Sequence, residues 1–288
     1  MTQIPYTRAL GTSGLTVSPL GVGTNRWNYG KNDISVLQTF QASVEVGVYF
    51  FDTAEMYGFG KSEQLLRECL QQTTYQIVIA TKFFPLPTRQ LGKALDASLS
   101  RLGLQTVDLY YIHFPIGGIE ALMDQMAEAF KQGKIRAVGV SNFSAMQMRR
   151  ASDRLARYNI PLAANEVQYN LLHRQPEING VLDACQELNV AMVAYFPLAS
   201  GRITANQSQP VSSSKERTGL REVLRTIAEK RGKSISQVTL NWLLRRDEHI
   251  IPIPGSTSAA HAVNNAETLN WELSSEEFSA IDKASAPQ

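Results

Sequence analysis

Cysteine is scarce in this chain: Cys69 and Cys185 are the only two among 288 residues, which rules out a disulfide framework. Both fall in helical patterns, so buried, reduced thiols in a cytoplasmic protein are expected. An excess of charge of one sign is also lacking. The 28 Lys and Arg residues face 26 Asp and Glu, for a net charge of +2. No basic run is long enough to track a phosphate backbone, so nucleic acid is not an expected partner. Long apolar runs are missing as well. None approaches the roughly 18 uninterrupted residues of a membrane span, and the start, Met1, Thr2, Gln3, Ile4, Pro5, lacks the blocks of a signal peptide. A soluble protein without membrane contact is therefore expected. The glycine fingerprint of a dinucleotide-binding Rossmann turn is absent too: Gly21 and Gly23 are followed by Arg26 where the third glycine belongs. No metal site is expected.

What the sequence does contain is alternation. Short apolar runs suited to buried strands are each followed by stretches with apolar residues at helical spacing, the mark of parallel βαβ units. Eight strand candidates run over 20–23, 49–52, 77–82, 109–113, 135–141, 163–168, 191–196 and 250–253. Between them, Leu91, Leu95, Leu99 and Leu102 line one helical face, and Leu122, Met126 and Phe130 another. Ser144 with Gln147, Ser234 with Gln237 and Ser274 with Glu277 have capping-box spacing ahead of helical patterns. The fold class is thus α/β, a (β/α)8 barrel forming one domain over 1–288. Residues 7–17 read as an N-terminal hairpin plugging the lower end. A polar stretch over 200–218 follows strand seven and reads as a cofactor-covering loop. Helices over 220–231, 236–245 and 274–283 follow, one more than the last βα unit needs before strand eight and one closing the chain.

In a parallel barrel the chemistry belongs at the carboxyl ends of the strands. Three apolar runs end in Asp52, Lys82 and His113, and Tyr57 lies in the loop after Asp52. Each has a plain alternative: a helix cap, a solvated terminus, a satisfied core histidine, a packed loop aromatic beside Gly58 and Gly60. Together they form a proton-transfer set. Hydride addition to a carbonyl carbon leaves charge on oxygen, and a phenol can protonate it. Bringing Tyr57 from its usual ~10 toward neutrality requires ~4 kcal/mol of phenolate stabilisation, which the Lys82 ammonium would supply. Asp52 would hold the lysine's proton. His113 would orient the carbonyl and stabilise the developing oxyanion.

The stretches GVYFFDTAEMYG (47–58), LSRLGLQTVDLYYIH (99–113) and GKIRAVGVSNFS (133–144) resemble the aldo-keto reductase superfamily. The resemblance implies a (β/α)8 barrel, reduction of aldehydes or ketones, and a tetrad of Asp52, Tyr57, Lys82 and His113. It also implies cofactor contacts. Ser141 and Asn142 match the pair that binds the nicotinamide carboxamide, Tyr195 the ring that stacks on it, and Leu198, Ser200 and Gly201 the pyrophosphate loop. Gly255, Ser256, Thr257 and Ser258, with His261 and Asn265, match the segment holding the adenosine phosphate. Two positions depart from the pattern: Glu166 stands where a carboxamide-binding Gln is usual, and Phe196 where Ser is common after the stacking Tyr. Residues 253–265 also hold no Lys or Arg. A modest, salt-sensitive preference for NADPH over NADH follows, with Arg202, Lys215 or Arg217 as possible sources of the missing charge.

The alternative reading is a cofactor-binding regulatory barrel with little turnover, against which the complete tetrad weighs. Trp27, Phe83, Phe84 and Phe114 flank strand ends and are the candidates for an aromatic substrate pocket, with packing against neighbouring loops as their plain alternative. A small-molecule aldehyde or ketone is the expected partner.

Overall fold

The computed structural model describes residues 7–27, 33–204 and 215–287. Side chains are described in all of these except 215–218. The chain opens with an antiparallel pair, β1 (Arg8–Ala9) and β2 (Thr16–Val17). Gly11, with φ 54, makes the turn possible where its α-carbon faces the backbone of Asn189 and Ala163. The hairpin is the expected plug, because Leu10 and Val17 are fully buried with Phe50, Ala163 and Ala191 inside the barrel.

Eight parallel strands follow, in the order β3 to β10 around the sheet. β3 (Gly21–Gly23) leads to α1 (Asp33–Glu45), β4 (Phe50–Asp52) to α2 (Lys61–Leu70), and β5 (Val78–Phe83) to α3 (Leu91–Leu102). Then come β6 (Val107–Ile112) with α4 (Ile119–Lys131), and β7 (Ile135–Ser141) with α5 (Ala145–Ala156). β8 (Leu162–Gln168) precedes α6 (Gln175–Ile178) and α7 (Val181–Leu188), and β9 (Ala191–Tyr195) precedes α8 (Lys215–Arg231) and α9 (Ile235–Arg246). β10 (Ile250–Ile253), α10 (Ala259–Ala266) and α11 (Ser275–Ala284) complete the order. A bridge between Gly23 and Gly255, with Gly23 N–H donating to the Pro254 carbonyl, closes β10 onto β3. The region of the expected covering loop is described only as far as Thr204 and again from α8, so 205–214 lies outside the described residues.

Strand parity sorts the apolar side chains into two cores. Phe50, Ala80, Leu109, Ala137, Ala164, Val193 and Ile251 point inward and fill the barrel. Their neighbours Phe51, Ile79, Tyr110, Val138, Met192 and Ile250 point outward against the helices. Burying each large side chain contributes about 1.5–3 kcal/mol. Gly139 is small because a β-carbon there would lie 2.5 Å from the Tyr111 ring. All three expected capping boxes form, at Ser144, Ser234 and Ser274, each contributing about 1 kcal/mol to fixing where its helix begins. Among the described residues no helix is long and apolar enough to cross a membrane.

Candidate active site

The inward parity that fills the barrel also delivers polar side chains to its upper end. On β4 the order is Phe50 inward, Phe51 outward, Asp52 inward; on β5, Ala80 and Lys82 turn inward; on β8, Ala164 and Glu166 do. Lys82 is fully buried. Its ammonium donates to Asp52 and to the Thr53 carbonyl at 2.9 Å, and lies 3.2 Å from Glu166 Oε2. It also sits 5.2 Å from the centre of the Tyr57 ring and 5.5 Å from that of Tyr111. Tyr57 is carried on the loop between β4 and α2, pinned by its N–H to the Ala54 carbonyl and by Ser62 N–H to its own carbonyl. Gly60, at φ 90, ends that loop over the Arg101 side chain, which pairs with the buried Glu63 of α2 at 2.5 Å. His113 follows β6, its ring centre 6.1 Å from that of Tyr57 and nearly perpendicular to it.

The electrostatics follow from this burial. Water is excluded from Lys82, which alone would push its pKa down; Asp52, Glu166 and Tyr57 together overcome that and hold it above its ordinary value. Burial raises Asp52 against the pull of Lys82, and raises Glu166 further because Asp52 lies beside it. His113 is lowered to about 3 by burial and by Lys82, so its imidazole is neutral at neutral pH. Its Nδ1 is buried without a hydrogen-bond partner. Tyr57 corrects the sequence expectation. Its burial outweighs Lys82, and Asp52 and Glu166 add to the burial, so the phenol is held above its ordinary pKa and keeps its proton.

Asp52, Tyr57, His113 and Glu166 open onto one cavity of about 460 Å³, with Lys82 buried behind them. Asp52, Tyr57, His113, Ser141, Asn142, Glu166 and Tyr195 line one part of it, and Leu198, Ser200 and Gly201 another. Asn142, at φ 62, donates to the His113 carbonyl and to Ser141 Oγ, while Tyr195 donates its hydroxyl to Asn142 Oδ1 at 3.0 Å. Phe196, Ala199 and Ser200 all have positive φ, a concentration of strain of the kind found at ligand clamps, and Gly201 continues the run at φ 86 without strain. Gly255, Thr257, His261 and Asn265 line the cavity, but Ser256 and Ser258 do not. Ser256 is buried, its Oγ accepting from Asn265, and Ser258 caps α10 by accepting from His261 N–H. Arg202 turns back to the Ala199 carbonyl, and the Lys215 and Arg217 side chains lie outside the described residues.

Of the four aromatic residues expected from sequence to form a pocket, only Phe114 lines the cavity; Phe84 does not, and packs against Phe114. Phe114 stacks on His113 at 4.7 Å, and Phe84 meets both rings edge-on. Trp27 and Phe83 do not line it: each is 1% exposed and packed in the outer core. The Trp27 indole donates to the Ser256 carbonyl, which fixes β3 to the segment after β10. Phe83 points outward because Lys82, one residue earlier on the strand, points inward. Sequence reasoning missed Asn25 and Arg26, which line the cavity just beyond β3, and Ser236 and Asn264, which line it from α9 and α10. The strand-end rule that found Asp52 applies equally to Arg26. Among the described residues no group of three or more His, Cys, Asp or Glu could hold a metal ion.

Residues 19–286 match the model of the Aldo/keto reductase family. The chain belongs to the aldo/keto reductase family. It is 31% identical to a chloroplastic pyridoxal reductase of Arabidopsis thaliana, over 94% of this chain and 84% of that one. It is 32% identical to an aldo-keto reductase of Schizosaccharomyces pombe whose name specifies NADP(+), over 84% of this chain and 80% of that one. Among solved structures, a thermostable aldo-keto reductase in complex with the inhibitor epalrestat superposes with a TM-score of 0.84 at 30% identity, covering 97% of this chain and 99% of that one. This aldo/keto reductase is accordingly an oxidoreductase of a family that reduces carbonyl groups.

Proposed function

We propose that this aldo/keto reductase reduces aldehydes or ketones to alcohols with NADPH, Tyr57 being the proton donor. The observation that carries the reading is the convergence of Tyr57, Asp52 and His113 at one end of a single cavity, with the buried Lys82 paired to Asp52 beneath the Tyr57 ring. A nicotinamide dinucleotide suits the rest of that cavity. Tyr195 offers a ring face, Ser141 and Asn142 offer amide and hydroxyl groups, and the positive-φ run through Ser200 and Gly201 leads to Thr257 and the start of α10. The first N–H groups of α10 and the hydroxyls beside them suit phosphate. Arg26, exposed and next in chain to Trp27, brings a cation to the same side. The Schizosaccharomyces relative supports NADPH as the cofactor.

When bound, the nicotinamide supplies hydride to the carbonyl carbon. Tyr57 gives its proton to the carbonyl oxygen, and the phenolate left behind is stabilised by Lys82, which Asp52 keeps charged and aimed. The neutral His113 offers an N–H to the same oxygen. Phe114, backed by Phe84, gives the cavity an apolar wall, which supports aromatic or aliphatic aldehydes as substrates, and the pyridoxal-reducing relative accords with an aromatic aldehyde. The two buried, unpaired thiols, Cys69 and Cys185, suit a reducing, cytoplasmic setting. The reading is tested by following NADPH oxidation with a panel of aromatic, aliphatic and dicarbonyl aldehydes. Turnover is expected with at least one. Tight NADPH binding without turnover across the panel would instead indicate a regulatory barrel.

A further inference from the structure

Asp52 alone is enough to neutralise Lys82, yet a second carboxylate reaches the same ammonium. Glu166 comes from β8, across the barrel from β4, and is 2% exposed. Its Oε2 lies 3.2 Å from the Lys82 nitrogen and has no hydrogen-bond partner. Two carboxylates facing one ammonium in a water-poor site leave a surplus negative charge whenever both ionise. The other ionisable groups around them offset none of it: Tyr111 from β6, the neutral His113 and Tyr195 from β9 carry no positive charge. The inward residues at the ends of β3, β7 and β10 are Gly23, Ser141 and Ile253, none ionisable.

We propose that Glu166 is a positioning residue that acts through Lys82: by drawing the ammonium's charge toward β8, it holds Tyr57 as a phenol and sets the pH at which the site exchanges its proton. The inference rests on the proposed reductase reading. In reduction the carbonyl carbon gains a hydride, the Tyr57 O–H bond breaks, the alcohol O–H bond forms, and water later reprotonates the phenolate. Alcohol oxidation runs the same steps backward and begins from the phenolate. A charged Glu166 makes that phenolate harder to form, so the phenolate accumulates only at higher pH.

The test is the kcat of Glu166→Gln against wild type in both directions, from roughly pH 6 to 11 around the ordinary phenol value. The readout is kcat at saturating cofactor because the overall equilibrium fixes the ratio of kcat/KM values at each pH. Reduction should fall on its alkaline side, and oxidation rise, at a pH lower by about one unit or more in the variant. A purely structural role would lower stability or rate and leave both limbs in place. Coincident limbs, or limbs displaced upward, would overturn the proposal. If the variant does not fold, the Tyr57 phenolate absorbance of wild type and of Glu166→Ala, each minus its Tyr57→Phe counterpart, decides. Tyr57 should ionise at lower pH in Glu166→Ala, and ionisation at the same or a higher pH refutes the proposal. A pair of proteins that shows this displacement but reduces no carbonyl would retire the functional reading and leave the charge argument standing.

Discussion

Replacing Lys82 by Met removes the cation from the buried cluster it forms with Asp52 and Glu166. Asp52 and Glu166, both within 2% of full burial, would then face each other without compensation. Breaking a buried pair by deleting one partner costs about 3–5 kcal/mol, because the remaining charge is stranded. For a domain of this size that corresponds to a fall in Tm of about 6–10 °C. The loss should depend on pH with a definite sign. Burial already raises both carboxyls, and without Lys82 their native pKa values stand higher still above the unfolded ones. The native variant therefore binds more protons than its unfolded chain, and its stability is lost as pH rises between those values. Thermal melts of wild type and Lys82→Met at pH 5, 6, 7 and 8 should show a gap widest at pH 8 and narrower toward pH 5. The double variant Lys82→Met, Glu166→Gln should recover part of it at pH 8. Equal melting temperatures at pH 8, or a gap that grows on acidification, would refute the description of the cluster as two carboxylates compensated by one ammonium.

Three further outcomes follow from the geometry. NADPH should bind more tightly than NADH, by a margin that shrinks as salt rises and shrinks further in Arg26→Ala; equal dissociation constants in low salt would remove Arg26 and the start of α10 from phosphate recognition. His113 is held neutral to about pH 3, so its contribution to stability is complete above its unfolded value near ~6.5 and falls by about 1.4 kcal/mol per pH unit below it. His113→Gln should accordingly lose less stability than wild type between pH 6.5 and 5 in urea titrations, and parallel curves would contradict the shift. Ser234→Ala, which removes the cap of α9 and the acceptor for Gln237 N–H, should cost about 1 kcal/mol without changing NADPH binding.

Much of this architecture is legible in the sequence because its signals are local. A run such as Leu109 to Ile112 ending in His113 marks a strand and its carboxyl end at once, and Ser144 with Gln147 marks a helix start within four residues. What sequence reading blurred was the face on which a strand residue lies. Lys82 and Phe83 are adjacent, and pleating forces one into the barrel and the other into the helix layer, so both cannot face the site. Trp27 is harder to place, since its burial depends on the Ser256 carbonyl, far away in sequence. Glu166 stands out in the sequence as a departure at an amide-binding position. Its approach to Lys82 depends on two strands facing each other across a closed barrel, which no short motif encodes. The direction of the Tyr57 shift failed for the same reason, because the second carboxylate and the depth of burial are properties of the closed barrel.

Tyr57→Phe keeps the ring and loses only the hydroxyl, so it isolates the proton that Tyr57 is proposed to supply for carbonyl reduction. NADPH affinity and the single-turnover rate with an aldehyde accepted by the wild type should be measured on the same preparation of the variant. NADPH binding should stay near normal while the rate falls by about a hundredfold or more. A variant that binds NADPH and reduces the aldehyde at the wild-type rate would contradict this role of Tyr57.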